Sequence, residues 1–271
     1  MSSIAVSSKF SNPLFDFLMR TLFFVRCLFS FFLGGERCLC CGKMTLVAPL
    51  CGRCSSRFLH LASSSGRSCG VCGKPLVSEI GLCTACRDSR VVKTADRIFP
   101  IQTYRLWKKN LLFSWKMQEK RSLSPFFAAA VEKKIRLVES ELGFENLPVV
   151  PVPPRPGKIR SVGWDQIDEL CFYLHLGYGR EILPLLERKS KVQQKKLGRG
   201  QRLETIGSSY FPVNEKKFQK ILSASSCGKI PKSVILLDDV MTTGATLEDC
   251  SIILKKMGVA GVYCVTLFIV A

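Results

Sequence analysis

The stretch Val234-Ile235-Leu236-Leu237-Asp238-Asp239-Val240-Met241-Thr242-Thr243-Gly244-Ala245-Thr246 decides how this chain is read. Four apolar residues run into two adjacent acids, and a small loop of hydroxyl residues and one glycine follows. Leu247 to Met257 then carries a helical pattern that closes at Gly258. The pattern predicts a buried strand ending in acids, a tight turn and a helix. In that geometry the backbone N–H groups of Thr243 to Thr246 stand at a helix N-terminus, a place that favours a phosphate. Gly244 lets the backbone approach closely and tolerates positive φ. The hydroxyls of Thr242, Thr243 and Thr246 add donors. Asp238 and Asp239 repel that same phosphate, so they suit sugar hydroxyls or a metal. A ribose with a phosphate on one side and a diol on the other satisfies both halves of the segment. The loop is no P-loop, because no Gly-Lys-Ser/Thr follows, and it has too few glycines for a dinucleotide fingerprint.

The 271 residues permit one large domain or two smaller ones. Forty Lys and Arg against 21 Asp and Glu give a formal charge of +19. That excess predicts attraction to polyanions (nucleic acid, anionic lipid or phosphorylated ligands) without choosing among them.

Nine of the 14 cysteines lie between Cys38 and Cys86. Eight of these form C-x-x-C pairs: Cys38/Cys41, Cys51/Cys54, Cys69/Cys72 and Cys83/Cys86. Such clustering points to metal rather than disulfides, and so to a reducing, cytoplasmic compartment. Two C-x-x-C pairs complete one tetrahedral zinc site, and four thiolates leave no open position for a reacting water. The expectation is two structural zinc ions with sequential pairing, 38/41/51/54 and 69/72/83/86; interleaved ligation stays open. Gly42, Gly52, Gly70 and Gly73 stand beside the cysteines, where knuckle turns need positive φ. Cys40 is a spare thiol able to compete for the first site.

Phe15 to Leu33 is strongly apolar, but Asp16, Arg20 and Arg26 interrupt it. No uncharged run approaches the roughly 18–20 residues a spanning helix needs. The three charges share one side of a helical wheel, so an amphipathic helix is expected, with peripheral membrane contact as the alternative. The organisation expected is therefore an apolar N-terminal helix or tail at 1–34, a double zinc ribbon at 35–90 and an α/β domain at 91–271.

Within that domain, 91–104 reads as extended and 104–121 as helical. Ser124-Pro125 gives an N-cap and a first-position proline to a helix ending at Gly143. Leu147 to Val152 is a short buried strand broken by Pro153-Pro154-Arg155-Pro156-Gly157. Asp165 to Leu176 is helical and ends at Gly177, and Val262 to Val270 is a near-continuous apolar strand. Apolar strands alternating with helices indicate a parallel sheet covered on both faces. His60 and His175 lie in no recognisable site and read as structural or surface residues.

The opening segment resembles the phosphoribosyl-pyrophosphate (PRPP) motif of type I phosphoribosyltransferases. The resemblance implies that domain's parallel sheet flanked by helices. It also implies that Asp238 and Asp239 hold the ribose hydroxyls in catalysis while Thr242, Thr243, Gly244, Ala245 and Thr246 hold the 5′-phosphate. A PRPP site also needs cations or Mg²⁺ for the pyrophosphate, and Pro153, Pro154 and Arg155, with Lys158 and Arg160 close by, are the candidates. Zinc ribbons, a Pro-Val-Pro strand, Gly163-Trp164-Asp165-Gln166, a Gln/Leu/Arg run (Gln194, Leu197, Arg202) and the PRPP motif, in that order, are similar to the ComF family. That family is a set of bacterial phosphoribosyltransferase-like proteins linked to DNA uptake and natural transformation. The resemblance implies PRPP with Mg²⁺ as ligand, an undefined acceptor, and competence or DNA-uptake proteins as partners. The alternative is a non-catalytic module binding single-stranded DNA through the basic run Arg188 to Arg202 and the zinc ribbons. There are departures. The family's Arg-Gly-Phe-Asn-Gln is Val162-Gly163-Trp164-Asp165-Gln166 here, Thr205 stands where asparagine is usual, and Met117 follows Lys116 where the family has an aromatic residue. Thr242 occupies the position at which some purine-type relatives carry an Asp, so the loop offers no general base.

Overall fold

A computed structural model describes residues 35–270 apart from 47, 62–67, 89, 91, 105–106, 160–162, 190–208 and 227, and before them only Val25 and Phe32. The apolar segment 14–33, Arg160, Val162, Gln194, Leu197, Arg202, Thr205 and all of the basic run beyond Lys189 therefore lie outside the described residues, as does the His60 side chain. No helix among the described residues is long and apolar enough to cross a membrane.

The strands are β1 (Glu36–Arg37), β2 (Met44–Thr45), β3 (Arg97–Thr103), β4 (Val149–Pro151), β5 (Leu186–Arg188), β6 (Tyr210–Pro212), β7 (Ser233–Met241) and β8 (Gly261–Ile269). The helices are α1 (Gly52–Leu61), α2 (Thr84–Asp88), α3 (Trp107–Lys116), α4 (Ser124–Leu142), α5 (Gln166–Tyr178), α6 (Glu215–Ala224) and α7 (Ala245–Lys256). A four-stranded sheet in the order β3-β8-β7-β4 is parallel throughout. Its two central strands are apolar on both faces, and Val234 to Leu237 and Val265 to Phe268 have no exposure, Thr266 included. That is the burial a parallel sheet between helices requires. The mixed α/β class expected from the alternation of elements is present.

Two clusters of apolar side chains cover the faces. One gathers Ile235, Leu237, Val265 and Leu267 with α3, α4 and α5, around the fully buried Trp115 and Phe127. The other gathers Val234, Leu236, Val262 and Cys264 with Leu247, Cys250 and Leu254 of α7. The cysteine module packs into both. Phe58 of α1 meets Phe126, Phe127 and Phe268 edge-on, while Gln102 of β3 donates from Nε2 to the Phe58 carbonyl at 2.8 Å. Val71 accepts from the Ile98 N–H at 3.2 Å, and a Cβ on Gly73 would lie 2.3 Å from Pro100 Cδ. The module thus lies along β3, the outermost strand of the sheet, whose edge would otherwise be open to pairing.

Several expected boundaries move, each for a local reason. β7 runs on through both acids to Met241 because β8 keeps pairing with it, Asp238 opposite Thr266 and Met241 opposite Ile269. Ser124 is no N-cap: a short 3-10 turn, Arg121–Leu123, leads straight into α4, and the Ser124 hydroxyl donates to Glu169 at 2.6 Å. Gly177 stays inside α5, which ends two residues later at Gly179 with φ 68°. Of the four glycines beside the cysteines only Gly42 (φ 71°) and Gly73 (φ 68°) have positive φ; Gly52 begins α1 instead.

Candidate functional site

β4 ends early because of its sequence. Pro151 pairs with Leu237, the Val152 N–H still donates to the Leu237 carbonyl at 2.9 Å, and Pro153-Pro154 then supply no N–H. Beyond Leu237, β7 therefore continues with β8 on one side and no strand on the other. The open notch lies at the C-terminal edge of a parallel sheet, where α/β folds bind ligands. Asp238 and Asp239 stand in it, and Pro153, Pro154 and the exposed Arg155 form its rim on the β4 side. The parallel register of β4 and β7 puts the prolines and the acids at one edge of the sheet.

Adjacent strand residues face opposite sides of a sheet, so the two acids part company. Asp239 faces α3, where Lys116 Nζ lies 2.5 Å from its Oδ2. Asp238 faces α7, and its Oδ1 accepts the Asp239 N–H at 2.8 Å. Burial and then the negative charge of Asp239 push the Asp238 carboxyl up to about 8. Asp238 therefore holds its proton to higher pH than an ordinary aspartate does.

The loop 242–246 takes the shape its sequence demands. Gly244 is left-handed with φ 90° and caps α7, whose first turn begins at Ala245. Glu248 N–H donates to the Gly244 carbonyl at 2.9 Å, while the N–H groups of Thr243, Gly244 and Thr246 have no acceptor among the described residues. Donors left without an acceptor at a helix N-terminus are the arrangement that suits an anion. A further contact was not legible in the sequence. The buried Tyr210 of β6 lies beside the Thr246 side chain, and the Arg188 guanidinium lies 5.1 Å over the Tyr210 ring. Arg188, read from sequence as the start of a DNA-binding run, is thereby drawn to the wall of the loop 242–246. Only the pairing of β5 with β6, Arg188 opposite Tyr210, brings it there.

Lys158 does not stand free beside Arg155. Its ammonium lies 2.6 Å from Asp165 Oδ2 and also meets Gln166 Oε1. Asp165 is the N-cap of α5, accepting from the N–H groups of Ile167 at 2.9 Å and Asp168 at 3.2 Å. Asp caps as well as Asn does, so this departure from the family pattern keeps the helix start and adds an ion pair. Trp164 packs edge-on against Trp115, with the Arg121 guanidinium 5.6 Å over its ring. His175 is structural: its Nδ1 meets the Arg180 carbonyl at 2.9 Å.

The eight cysteines sort as sequential pairing requires. The sulfurs of Cys38, Cys41, Cys51 and Cys54 lie within 4.8 Å of one another, and so do those of Cys69, Cys72, Cys83 and Cys86. The two knuckles repeat one geometry: Gly42 N–H to Cys38 carbonyl and Gly73 N–H to Cys69 carbonyl are both 2.9 Å. Burial raises the Cys38 thiol, but N–H groups of Cys51, Cys41 and Cys40 outweigh it and bring the thiol down to about 6. Cys69 is likewise raised by burial and brought to about 6 by N–H groups of Cys72, Cys83 and Val71. Preformed donors aimed at sulfur favour thiolate, the form that ligates zinc. The donor sets fit two structural zinc ions. Cys40 stays outside the four-sulfur group; burial, then the charge of Cys38, push it up to about 12. Elemental analysis should return about two zinc ions per chain, and Cys72→Ser about one. A metal-free wild-type protein would refute the assignment.

No family model matches the chain. It is 25% identical over 214 residues to competence protein ComFC of Streptococcus pneumoniae, an alignment covering 77% of this chain and 82% of the relative. That span is longer than the cysteine module or the α/β domain alone, so it takes in at least part of each. The similarity supports a relationship to the ComF family.

Proposed function

We propose that the notch binds PRPP or a closely related ribose phosphate together with Mg²⁺, and that the protein acts in DNA uptake during natural transformation. The observation that carries the reading is the open C-terminal edge of β7, where two acids stand directly before a loop whose N–H donors have no acceptor among the described residues. The 5′-phosphate would lie against residues 242–246 at the start of α7. The ribose hydroxyls would meet Asp238 and Asp239, oxygen donors of the kind Mg²⁺ also takes. The exposed Arg155 would face the pyrophosphate, with Lys158 held back by Asp165. The place in competence follows from the named relative, a competence protein.

Such a site supports phosphoribosyl transfer. A nucleophile, usually nitrogen, forms a bond to the anomeric carbon, the bond to pyrophosphate oxygen breaks with its electron pair, and the proton leaves the nucleophile for solvent. Catalysis would come from charge stabilisation of the leaving group and from positioning. Thr242 supplies no base, so the acceptor must arrive already nucleophilic. A second reading, single-stranded DNA held by the basic surface, is favoured by the +19 charge and predicts affinity that falls steeply with salt.

Calorimetric titration with PRPP and Mg²⁺ tests the first reading. Wild type should bind, and Asp239→Asn should weaken binding by about tenfold or more, the usual scale for a lost charged hydrogen-bond acceptor. Absence of binding to the wild type would refute the ribose-phosphate site.

A further inference from the structure

We infer that Lys116 guards Asp239 against a bare divalent cation and yields the carboxylate only when an anionic ligand arrives with the metal. The inference rests on the ribose-phosphate reading of the notch and adds an order of assembly to it.

Lys116 is the ion-pair partner of Asp239 among the described residues, at 2.5 Å, with the lysine side chain 30% exposed and the acid 16%. The backbone that carries it is held firmly. Lys116 is the last residue of α3, and the preceding Trp115 is fully buried. Trp115 Nε1 donates to Ser124 Oγ at 2.8 Å, Ser124 donates to Glu169 at 2.6 Å, and Arg121 Nε donates to Glu169 at 2.8 Å. Beyond that fixed point, the four-carbon stem of lysine is free to re-aim a compact charge. Lys158 cannot take over the role, since Asp165 and Gln166 already hold it.

A divalent ion entering alone would have to break this pair and then sit beside a displaced ammonium. A ligand with a pyrophosphate changes the exchange: Mg²⁺ takes the Asp239 oxygens and the ammonium moves to phosphate oxygens, so both charges end paired. Metal and ligand then bind as one unit, each raising the other's affinity by the same factor. Neutralising Lys116 must therefore act in opposite directions on the two ligands. A lysine that only supported the fold would not do that.

The experiment uses the full-length, zinc-loaded protein. Bare-metal affinity is read from the loss of the free Mn²⁺ electron paramagnetic signal, and ligand affinity from calorimetry with PRPP and Mg²⁺. Lys116→Met should bind Mn²⁺ alone about tenfold tighter and PRPP about tenfold more weakly, the usual scale of coupling through one charge pair. Lys116→Arg should return both toward wild type, and adding Asp239→Asn to Lys116→Met should abolish the gain in Mn²⁺ binding. If wild type binds PRPP and Lys116→Met stays within about twofold of it for either ligand, the inference is overturned. If wild type binds no PRPP, the ribose-phosphate reading falls and takes the inference with it.

Discussion

Arg180→Met should lower the melting temperature by roughly 10 °C while leaving ligand affinity unchanged. Arg180 is buried with two buried glutamates of α4. Its Nε and Nη2 donate to Glu132 at 2.7 and 3.1 Å, and its Nη1 and Nη2 donate to Glu139 at 2.5 and 2.8 Å. Glu139 also accepts the Leu147 N–H at 2.7 Å, so one cluster ties α4 to the residue after α5 and to the approach to β4. Removing the guanidinium strands two carboxylates, of which, among the described residues, only Glu132 keeps a cation, the largely exposed Arg136. Breaking a buried pair in this way costs about 3–5 kcal/mol. Neutralising both acids as well, in Arg180→Met/Glu132→Gln/Glu139→Gln, should recover most of the loss, because the penalty comes from the orphaned charges. A melting temperature within about 2 °C of wild type for Arg180→Met would contradict the account. Ligand affinity is the control: the Glu181 carbonyl beside Arg180 bonds Val149, the first residue of β4, at the sheet edge opposite the acids.

Gly244→Ala should abolish the ribose-phosphate binding proposed for loop 242–246 and cost stability beyond the strain of its backbone. At φ 90° a side chain is strained by about 1–2 kcal/mol. A Cβ there would also lie 2.4 Å from Val92 Cγ2 and 3.2 Å from Met241 Cε. Val92 cannot retreat easily, because Glu248 accepts the N–H groups of Lys93 and Thr94 at 2.8 and 3.0 Å and the Thr94 hydroxyl at 2.7 Å. Gly258 is the comparison: its φ is 100°, but nothing lies within 4 Å of its added Cβ. Gly258→Ala should therefore show strain alone, and Gly244→Ala strain plus collision. Adding Val92→Ala to Gly244→Ala should restore the collision part in thermal melts and not the strain. Equal melting temperatures for the two single alanine variants would show that Val92 does not constrain the loop.

The Val92 contact also explains why the segment joining the cysteine module to the sheet matters. It lies directly on the loop that precedes α7, and Cys69, Cys72 and Cys83 share an apolar cluster with Val92, Met241 and Leu247. Disrupting the second four-sulfur group is thus expected to loosen the loop 242–246 as well as the knuckle.

The sequence by itself determined what depends on neighbours along the chain. Cysteine spacing specified the C-x-x-C knuckles of the two four-sulfur sites, because a knuckle is built from residues three apart and some of its N–H donors come from the same turn. The run from Val234 to Thr246 specified strand, positive-φ glycine and helix start, and Pro153-Pro154 specified where β4 stops, since each follows from backbone geometry within a few residues. Tertiary structure alone decided which groups meet across elements. Lys116 on Asp239, Tyr210 on Thr246, Arg180 between Glu132 and Glu139, and Val92 on Gly244 all join residues distant in sequence. Periodicity says which face of a helix or strand is buried. It does not say how far that element slides or turns against its neighbour, and a shift of one residue exchanges every such partner. The acids show both sides of this. Their place at the open edge was written in the chain, while their separation onto opposite faces emerged only when β7 was seen to run through them, paired with β8.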